Sequence, residues 1–123
     1  MKFAEDHNAS RYKITGYDDH SIGINGAPYS QSLVLSPMEL ISDWAPENYS
    51  LLEPEHLDPF YELKAEIILL GTGKNQHFPE HEILRRFAKE QIGFEIMDTQ
   101  AACRTFNILM AEGRNVVAGL FIT

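Results

Sequence analysis

The sequence has a single cysteine and no long apolar run, and each shortage excludes a class of protein. Cys103 cannot form an internal disulfide, and a lone cysteine suits a reducing compartment. No stretch approaches the ~18 consecutive apolar residues that a membrane-spanning helix requires. Residues 1–7 lack the apolar centre of a signal peptide, and their acidic side chains disfavour a mitochondrial transit peptide. We therefore expect a cytoplasmic protein without membrane insertion.

Basic residues are also scarce, and they form no cluster. The chain has 10 lysines and arginines against 18 acidic residues, which gives a net charge of −8. Because a nucleic-acid-binding protein normally presents a basic stripe, we expect no nucleic-acid partner. Between residues 38 and 66, eight acidic residues stand against Lys64 alone. This segment is either a solvated face or a docking surface for a basic partner.

The first half of the chain carries strand patterns separated by turns. We expect one domain over residues 1–123, with residues 1–10 flexible. Asn25-Gly26 favours a tight hairpin, because both residues tolerate positive φ. Residues 45–63 contain three prolines and predict a long irregular excursion with a short helical turn, either a functional or mobile loop or a surface wrap. The strands predicted in this half are 11–15, 21–24 and 29–35. Residues 38–44 are compatible with a strand or a helix, and their position after the meander favours a strand.

From Glu66 onward the patterns follow the order β-α-β-α-β. Such an order places neighbouring strands in one sheet with helices crossing over it, right-handed where the strands are parallel. The last strand is almost wholly apolar, so we expect it at the centre of the sheet. The apolar stripe predicted for the first helix is Ile83, Leu84, Phe87 and Ala88. The predicted strands are 66–70, 93–97 and 115–122, and the helices begin at Pro79 and Thr99.

Asp98 joins the second of these strands to the last helix. Its carboxylate is a good N-cap, since it can accept from the amide of Gln100 or Ala101 and suits the positive end of the helix dipole. Cys103 lies in the apolar face of that helix. It is either a buried core thiol or an accessible nucleophile or redox centre with a lowered pKa.

Four further residues of the same helix lie outside its apolar face. Arg104 is either a surface side chain or part of a polar rim with Asn107 and Gln100. Ile108 falls on the outer face, which hints at a partner surface. A weak homodimer through Ile108 or through an edge strand is left open.

A glycine-rich turn, Gly71-Thr72-Gly73, follows the apolar strand that ends at Leu70. The turn does not match a dinucleotide-binding motif, because Gln76 stands where a third glycine is required. Pro79 also starts the next helix too late to bind a phosphate held there. His77 and His81 have the spacing of metal ligands on a helix, but no third ligand lies nearby in sequence. We predict no cofactor and no metal, and the catalytic residues, if any, are unknown.

One geometrical prediction joins the two strand ends. Where parallel strands are adjacent, the residues that follow them meet at the same edge of the sheet, which is where ligands bind in open α/β sheets. We therefore predict a groove at this edge. The residues that converge there are Gly71, Thr72, Gly73, Asp98 and Thr99, with Arg104 or Asn107 at the border.

Five motifs in a fixed order resemble a known family. They are Ile14-Thr15-Gly16-Tyr17, Asn25-Gly26, Ser32-Leu33-Val34-Leu35-Ser36-Pro37, Leu69-Leu70-Gly71-Thr72-Gly73, and a run from Met97 to Arg114 that contains Asp98-Thr99 and Ala102-Cys103-Arg104-Thr105-Phe106-Asn107. Over about residues 12–122 the chain resembles a bacterial-type member of a small single-domain family of unknown function. That family includes mitochondrial complex I assembly factor 3 and the adipogenesis-associated domain-containing protein.

The resemblance implies a fold and leaves the chemistry unassigned. The implied fold is α/β with three layers, in which a β-meander or hairpin layer lies beside a mixed central sheet with two or three helices. No enzyme activity is established for the family. The residues that the resemblance marks are Gly71, Gly73, Asp98, Thr99, Cys103, Arg104, Thr105, Asn107 and Glu112.

Two functions remain after these exclusions. The first is contact with an unknown protein partner, as an assembly or scaffold factor, because the fold signature is complete while no catalytic set is present. The alternative is a small-ligand-binding protein or an enzyme that uses the groove beside Gly71–Gly73 and Asp98–Asn107.

Overall fold

The computed structural model describes residues 10–75 and 81–122, and these ranges contain two β-sheets. Pro79 and His77 lie outside the described residues. The first sheet consists of β1 (Ile14–Tyr17), β2 (Ile22–Ile24) and β3 (Ala27–Tyr29). The second sheet consists of β4 (Leu33–Leu35), β5 (Leu40–Ile41), β6 (Ile67–Thr72), β7 (Gly93–Met97) and β8 (Val116–Phe121). The helices are α1 (Asp58–Glu62), α2 (His81–Lys89) and α3 (Thr99–Ala111), and short 3₁₀ turns span Tyr49–Leu51 and Pro54–Leu57.

The first sheet is an antiparallel meander whose turns follow from local chemistry. Between β2 and β3, Asn25 and Gly26 adopt φ values of 52° and 85°, which closes the predicted tight hairpin. Between β1 and β2, the Asp18 carboxylate accepts from the amides of His20 and Ser21, each at 2.8 Å. The predicted hairpin at Asn25-Gly26 is therefore confirmed, whereas the first strand, predicted at 11–15, spans Ile14–Tyr17.

The predicted strand 29–35 is wrong, because the chain changes sheets within it. β3 ends at Tyr29 in the meander, and β4 begins at Leu33 in the five-stranded sheet. The change occurs at Ser32, whose buried hydroxyl donates to the carbonyls of Trp44 and Pro46. These hydrogen bonds hold Ser32 at the point where the chain passes from one sheet to the other.

The five-stranded sheet has the order β5-β4-β8-β6-β7 and is mixed. β6 runs parallel to both β7 and β8, whereas β4 runs antiparallel to β8. β8 lies at the centre, as its apolar sequence predicts, and every residue of it is buried. The strand predicted at 38–44 is reduced to Leu40–Ile41 at one edge.

One face of this sheet is covered by the helix layer, which consists of the meander and α3. Ile14 and Ile22 of the meander and Cys103 and Phe106 of α3 belong to one buried cluster with Leu69 of β6. α3 begins at Thr99 as predicted, with Asp98 as its N-cap, and Gly113 at φ 80° follows its last turn. The helix layer therefore joins the first sheet to the second through a shared core.

The opposite face is covered by the excursion layer, residues 44–63, which contains α1. Trp44, Leu57 and Phe60 lie buried against Val117 and Phe121 of the central strand. The irregular segment thus packs on the sheet over much of its length. Together the two layers and the sheet confirm the predicted three-layer α/β fold.

α2 lies on the side of the excursion layer. The Arg86 guanidinium donates to the Pro54 carbonyl and to the Asp58 carboxylate, each at 3.0 Å, and lies 4.2 Å from the ring centroid of Tyr61. Ala88, placed in the buried stripe by the sequence, is exposed. α2 packs against the edge strand β7.

Candidate functional site

Thr99 ties together the three chain segments that meet at one edge of the five-stranded sheet. Its hydroxyl accepts from the Gly73 amide at 2.8 Å and donates to the Phe121 carbonyl. Its own amide donates to the Gly73 carbonyl at 2.9 Å. The start of α3 is thereby fixed to the carboxyl ends of β6 and β8, and the Thr99 side chain is buried.

A groove of about 290 Å³ lies beside this junction, between the β1–β2 turn and the start of α3. Lys74 and Asp19 face each other there, with 3.8 Å between Nζ and Oδ2, and the Gln100 amide donates to Asp19 at 3.4 Å. The groove is therefore polar and carries charges of both signs. Its lining residues are Tyr17, Asp18, Asp19, Ile22, Gly73, Lys74, Asp98, Thr99, Gln100, Phe121 and Ile122.

Of the residues predicted to converge, Gly73, Asp98 and Thr99 line this groove, whereas Gly71 and Thr72 do not. A Cβ on Gly71 would lie 3.0 Å from the Thr99 Cα and 3.1 Å from the Ala102 Cβ, so this glycine lets α3 approach β6. The Thr72 hydroxyl is turned inward and donates to the Asn75 carbonyl. Gly71 and Thr72 therefore support the edge of the sheet through buried contacts and do not face the groove.

Cys103 is fully buried in the core, and this burial raises its pKa to about 12. Burial raises the pKa because it disfavours the charged thiolate. A nucleophilic cysteine requires the opposite, a lowered pKa and access for a substrate. The nucleophile interpretation of Cys103 is therefore wrong, and the thiol is a packing group.

Arg104 and Asn107 serve the helix layer in two different ways. The exposed Arg104 guanidinium donates to the Tyr17 hydroxyl at 3.1 Å, a contact that raises the Arg104 pKa. Asn107 pairs with both backbone groups of Ile14, accepting from its amide at 3.1 Å and donating to its carbonyl at 2.7 Å. Asn107 thus holds β1 against α3 and lies outside the groove.

The carboxylates of the groove are engaged by the fold. Asp98 accepts from the Ala101 amide at 2.9 Å as the N-cap of α3. The amides of His20 and Ser21 hold the pKa of Asp18 below its usual value, because they stabilise the charged form. An acid with a lowered pKa is a weak proton donor or acceptor near neutral pH. Within residues 10–75 and 81–122 no cluster of three metal-ligating side chains is present.

Eight of the eleven lining residues are absent from the sequence-based prediction of the groove, among them Tyr17, Asp18 and Asp19 of the meander. The three meander residues reach the groove because the meander folds onto α3, through contacts such as Tyr17 with Arg104 and Asp19 with Gln100. These pairs are separated by 87 and 81 positions in the chain. Local sequence patterns do not predict contacts between residues so far apart in the chain, so these contacts are seen only in the folded structure.

The comparisons with known proteins agree with this architecture. A family model described as "Protein of unknown function (DUF498/DUF598)" matches residues 14–121. A Danio rerio protein named NADH dehydrogenase [ubiquinone] 1 alpha subcomplex assembly factor 3 is 34% identical over 110 residues, covering 87% of this chain and 62% of that protein. The chain therefore spans about three fifths of the length of that relative. Its similarity confirms the resemblance to the assembly-factor family.

Two further similar proteins come from bacteria. A Francisella tularensis protein named 13 kDa major membrane protein is 33% identical over 94 residues, covering 76% of each chain. None of the helices described in the present structure is long and apolar enough to cross a bilayer. A Bordetella pertussis protein described as an Mth938-like domain has a solution structure with a TM-score of 0.80 at 30% identity, covering 98% of this chain and 92% of that one. The chain is thus a member of the DUF498/DUF598 family of proteins of unknown function.

Proposed function

We propose that the protein acts through contact with another protein, as an assembly or scaffold factor. The observation that carries the proposal is the similarity over 87% of the chain to a protein named as an assembly factor. The geometry supports it, because several of the residues marked by the family resemblance make contacts within the fold. Thr99 and Asn107 bond to backbone groups, and Cys103 is buried.

The outer face of α3 is the surface that we assign to this contact. Ile108 is 59% exposed there, the largest exposure among the exposed large apolar side chains of the described residues. Arg104 lies one turn earlier on the same face, and it contacts Tyr17, which is 36% exposed. Tyrosine and arginine are enriched among the residues that dominate binding energy at protein interfaces.

Affinity capture with matched variants tests the proposal. The full chain, immobilised by a tag, is expected to recover a defined partner whose amount saturates as lysate is added. Ile108→Asp is expected to abolish recovery, because it places a charge in the centre of the contact. Met38→Asp is the control, since Met38 is a 50% exposed apolar side chain in the turn after β4. Recovery of no partner, or equal recovery by both variants, contradicts the proposal.

A second candidate function is binding of a small polar ligand in the groove beside Gly73 and Asp98. The groove of about 290 Å³ favours it, because that volume is close to the lower end of the range for small-molecule pockets. Lys74 and Gln100 supply hydrogen-bond donors at its wall. A metabolite panel assayed by thermal shift is expected to yield a compound whose stabilisation disappears in Lys74→Ala. Lys64→Ala, which removes the same charge outside the groove, is the control, and a panel without any shift contradicts this candidate.

We place the proposed function in the cytoplasm. The support is the single cysteine of the chain, kept as a buried thiol in the core. Because the Francisella relative is named a membrane protein, fractionation of expressing cells is the informative measurement. Recovery in the supernatant after high-speed centrifugation is expected, and retention in the pellet through an alkaline carbonate wash contradicts this placement.

A further inference from the structure

We propose that the outer face of α3 also binds a second copy of this chain, as an antiparallel pair of helices about a two-fold axis. This inference goes beyond the proposed function, because the occupant of the face is the chain itself. The outer face is the side of α3 that the helical period places opposite the buried Cys103 and Phe106. Its residues are Ala101, Arg104, Thr105, Ile108, Ala111 and Glu112.

Ile108 is the one large apolar side chain of the outer face, and small residues surround it. Ala101 and Thr105 are half-buried and Ala111 is exposed, whereas Ile108 projects into solvent. The Thr105 hydroxyl donates to the Ala101 carbonyl of its own helix at 2.9 Å, so it needs no other acceptor. A second helix can therefore approach Ile108 closely without burying an unpaired hydroxyl group.

Two opposite charges lie at equal distances from Ile108 along the helix. Arg104 precedes it by four residues and Glu112 follows it by four, which places each about 6 Å along the axis and about 40° around it, on opposite sides. Glu112 continues the helical geometry, since its amide donates to the Ile108 carbonyl at 3.2 Å. Arg104 uses Nη1 on the Tyr17 hydroxyl and keeps its other donors. In the part of the chain that the structure describes, neither charge joins a salt bridge.

This arrangement is complementary to itself when two helices run in opposite directions. In a two-fold interface each contact is made twice, so an axis at Ile108 brings Arg104 of each copy beside Glu112 of the other. Rows of residues four apart pack side by side when helices cross at about −50°, the commonest class in globular proteins, and these three residues form such a row. A parallel pair would instead bring like charges together, which weakens binding.

The distribution of charge favours this face for contact between copies. Each copy has a net charge of −8, so two copies repel one another wherever their acidic surfaces meet. The outer face of α3 carries one positive and one negative charge and is therefore neutral. Because a single helix face buries little area, the dimer is a weak one that forms at high protein concentration.

Sedimentation velocity of the full chain over a hundredfold range of concentration tests the inference. A monomer in equilibrium with a dimer is expected. Ile108→Asp is expected to abolish the dimer, because it places a charge at the two-fold axis, whereas Met38→Asp, at an exposed apolar side chain outside α3, is expected to retain it. A chain that stays monomeric at every concentration overturns the proposal, and so does a dimer that survives Ile108→Asp.

Charge reversal tests the antiparallel pairing itself. Arg104→Glu and Glu112→Arg are each expected to weaken self-association about tenfold or more, because each makes both charge pairs repulsive. An equimolar mixture of the two variants is expected to dimerise, since every glutamate then faces an arginine, and the double variant is expected to dimerise alone for the same reason. A mixture that stays monomeric overturns the proposal.

A matched substitution elsewhere separates the pairing from the net charge. Lys64→Glu changes the net charge as much as Arg104→Glu does, but it lies at the end of the excursion layer, where it is exposed. It is expected to change the affinity of self-association less than about twofold. Equal weakening by Lys64→Glu and Arg104→Glu overturns the proposal, because association would then follow net charge alone.

The two functions of the outer face are distinguishable. A copy within the dimer cannot present this face to another protein, so self-association and partner capture compete. Self-association is measured on the purified chain, and its failure leaves the proposed function unaffected. If the chain dimerises but Ile108→Asp and Met38→Asp capture a partner equally, the dimer stands and the proposed function falls.

Discussion

The helix layer and the excursion layer cover opposite faces of one sheet by different means. The helix layer uses regular elements and joins them through hydrogen bonds of polar side chains, as the buried Thr99 does at Gly73 and the half-buried Asn107 at Ile14. The excursion layer has little regular structure and relies on the packing of Trp44 and Phe60. An apolar sheet can therefore be covered either by regular elements joined through side-chain hydrogen bonds or by packed aromatic side chains, provided that the covering residues come close to the sheet.

Both layers gain that approach from a glycine in a sheet strand. Gly71 of β6 lies beneath α3, and Gly119 of β8 lies beneath the rings of Phe60 and Trp44. A Cβ on Gly119 would lie 2.8 Å from the nearest ring atoms of both aromatic residues. The two glycines occupy adjacent positions in the register, since Leu70 pairs with Gly119 and Gly71 pairs with Leu120. Because neither position carries a side chain, each layer can approach the sheet closely, and the two approaches lie at adjacent positions along the strands.

Truncation of the large core side chain in each layer compares the two layers most directly. Phe106→Ala and Phe60→Ala each remove a fully buried ring. Each is expected to lower the free energy of unfolding by about 3–5 kcal/mol, through lost burial and the cavity that remains. Urea denaturation measures both. A loss below about 1 kcal/mol for Phe60→Ala alone would show that the excursion layer adds little stability.

Alanine substitution of the two glycines is expected to lower the free energy of unfolding by less, and it compares the close packing of the two layers at one position in each. Gly119→Ala is expected to cost about 1–3 kcal/mol, because its methyl group would overlap two buried rings. Gly71→Ala is expected to cost less within this range, since the shortest contact of its Cβ is 3.0 Å. Gly16→Ala is the control, because a Cβ there meets no atom within 4 Å. Thermal or urea unfolding orders the three, and a stabilising Gly119→Ala would contradict the close packing.

Substitution of two asparagines compares the strength of the side-chain hydrogen bonds that hold the two layers. Asn107→Ala is expected to cost about 1–2 kcal/mol, because it leaves the amide and carbonyl of Ile14 without their partner. Asn115, which donates to the carbonyls of Leu63 and Lys64 at the end of the excursion layer, is expected to cost less when changed to Ala. Water can replace its bond to the more exposed Lys64 carbonyl. The reverse order in urea unfolding would contradict the assigned role of Asn107.

The smallest expected effect concerns Cys103 and appears only at alkaline pH. The folded thiol has a pKa of about 12, whereas an unfolded cysteine has a pKa of about 8.5. The contribution of this group to stability is full below about pH 8.5 and is lost as the pH rises toward the folded value. By pH 9.5 the loss is expected to reach about 1 kcal/mol. Cys103→Ala is the control, and an equal alkaline loss in that variant would contradict the assignment.

The elements encoded by local signals could be predicted from the sequence. Asp98 and the apolar face of α3 define the last helix within a short stretch, and both have the expected roles. The apolar composition of β8 likewise indicated its central place. Such features depend on neighbours in sequence, which is why patterns of capping and periodicity identify them.

The features that depend on distant contacts could not be predicted. The change of sheet at Ser32 requires the carbonyls of Trp44 and Pro46, which no pattern in residues 29–35 reveals. Asn107 was placed at the border of a groove, but it binds Ile14 across 93 positions. The convergence of Gly73 and Thr99 followed from parallel strands, whereas the closure of the groove by Asp19 required the folded meander.

The central position of β8 also determines when the sheet can form. β8 is the last strand in the described chain, yet it separates β4 from β6. During synthesis, β4 and β6 leave the ribosome without the partner that joins them. Contacts between such distant segments form slowly, and unpaired strand edges promote aggregation until those contacts have formed. Folding of this sheet is therefore a late event, and the apolar edges of the nascent chain need protection until residue 121 has emerged.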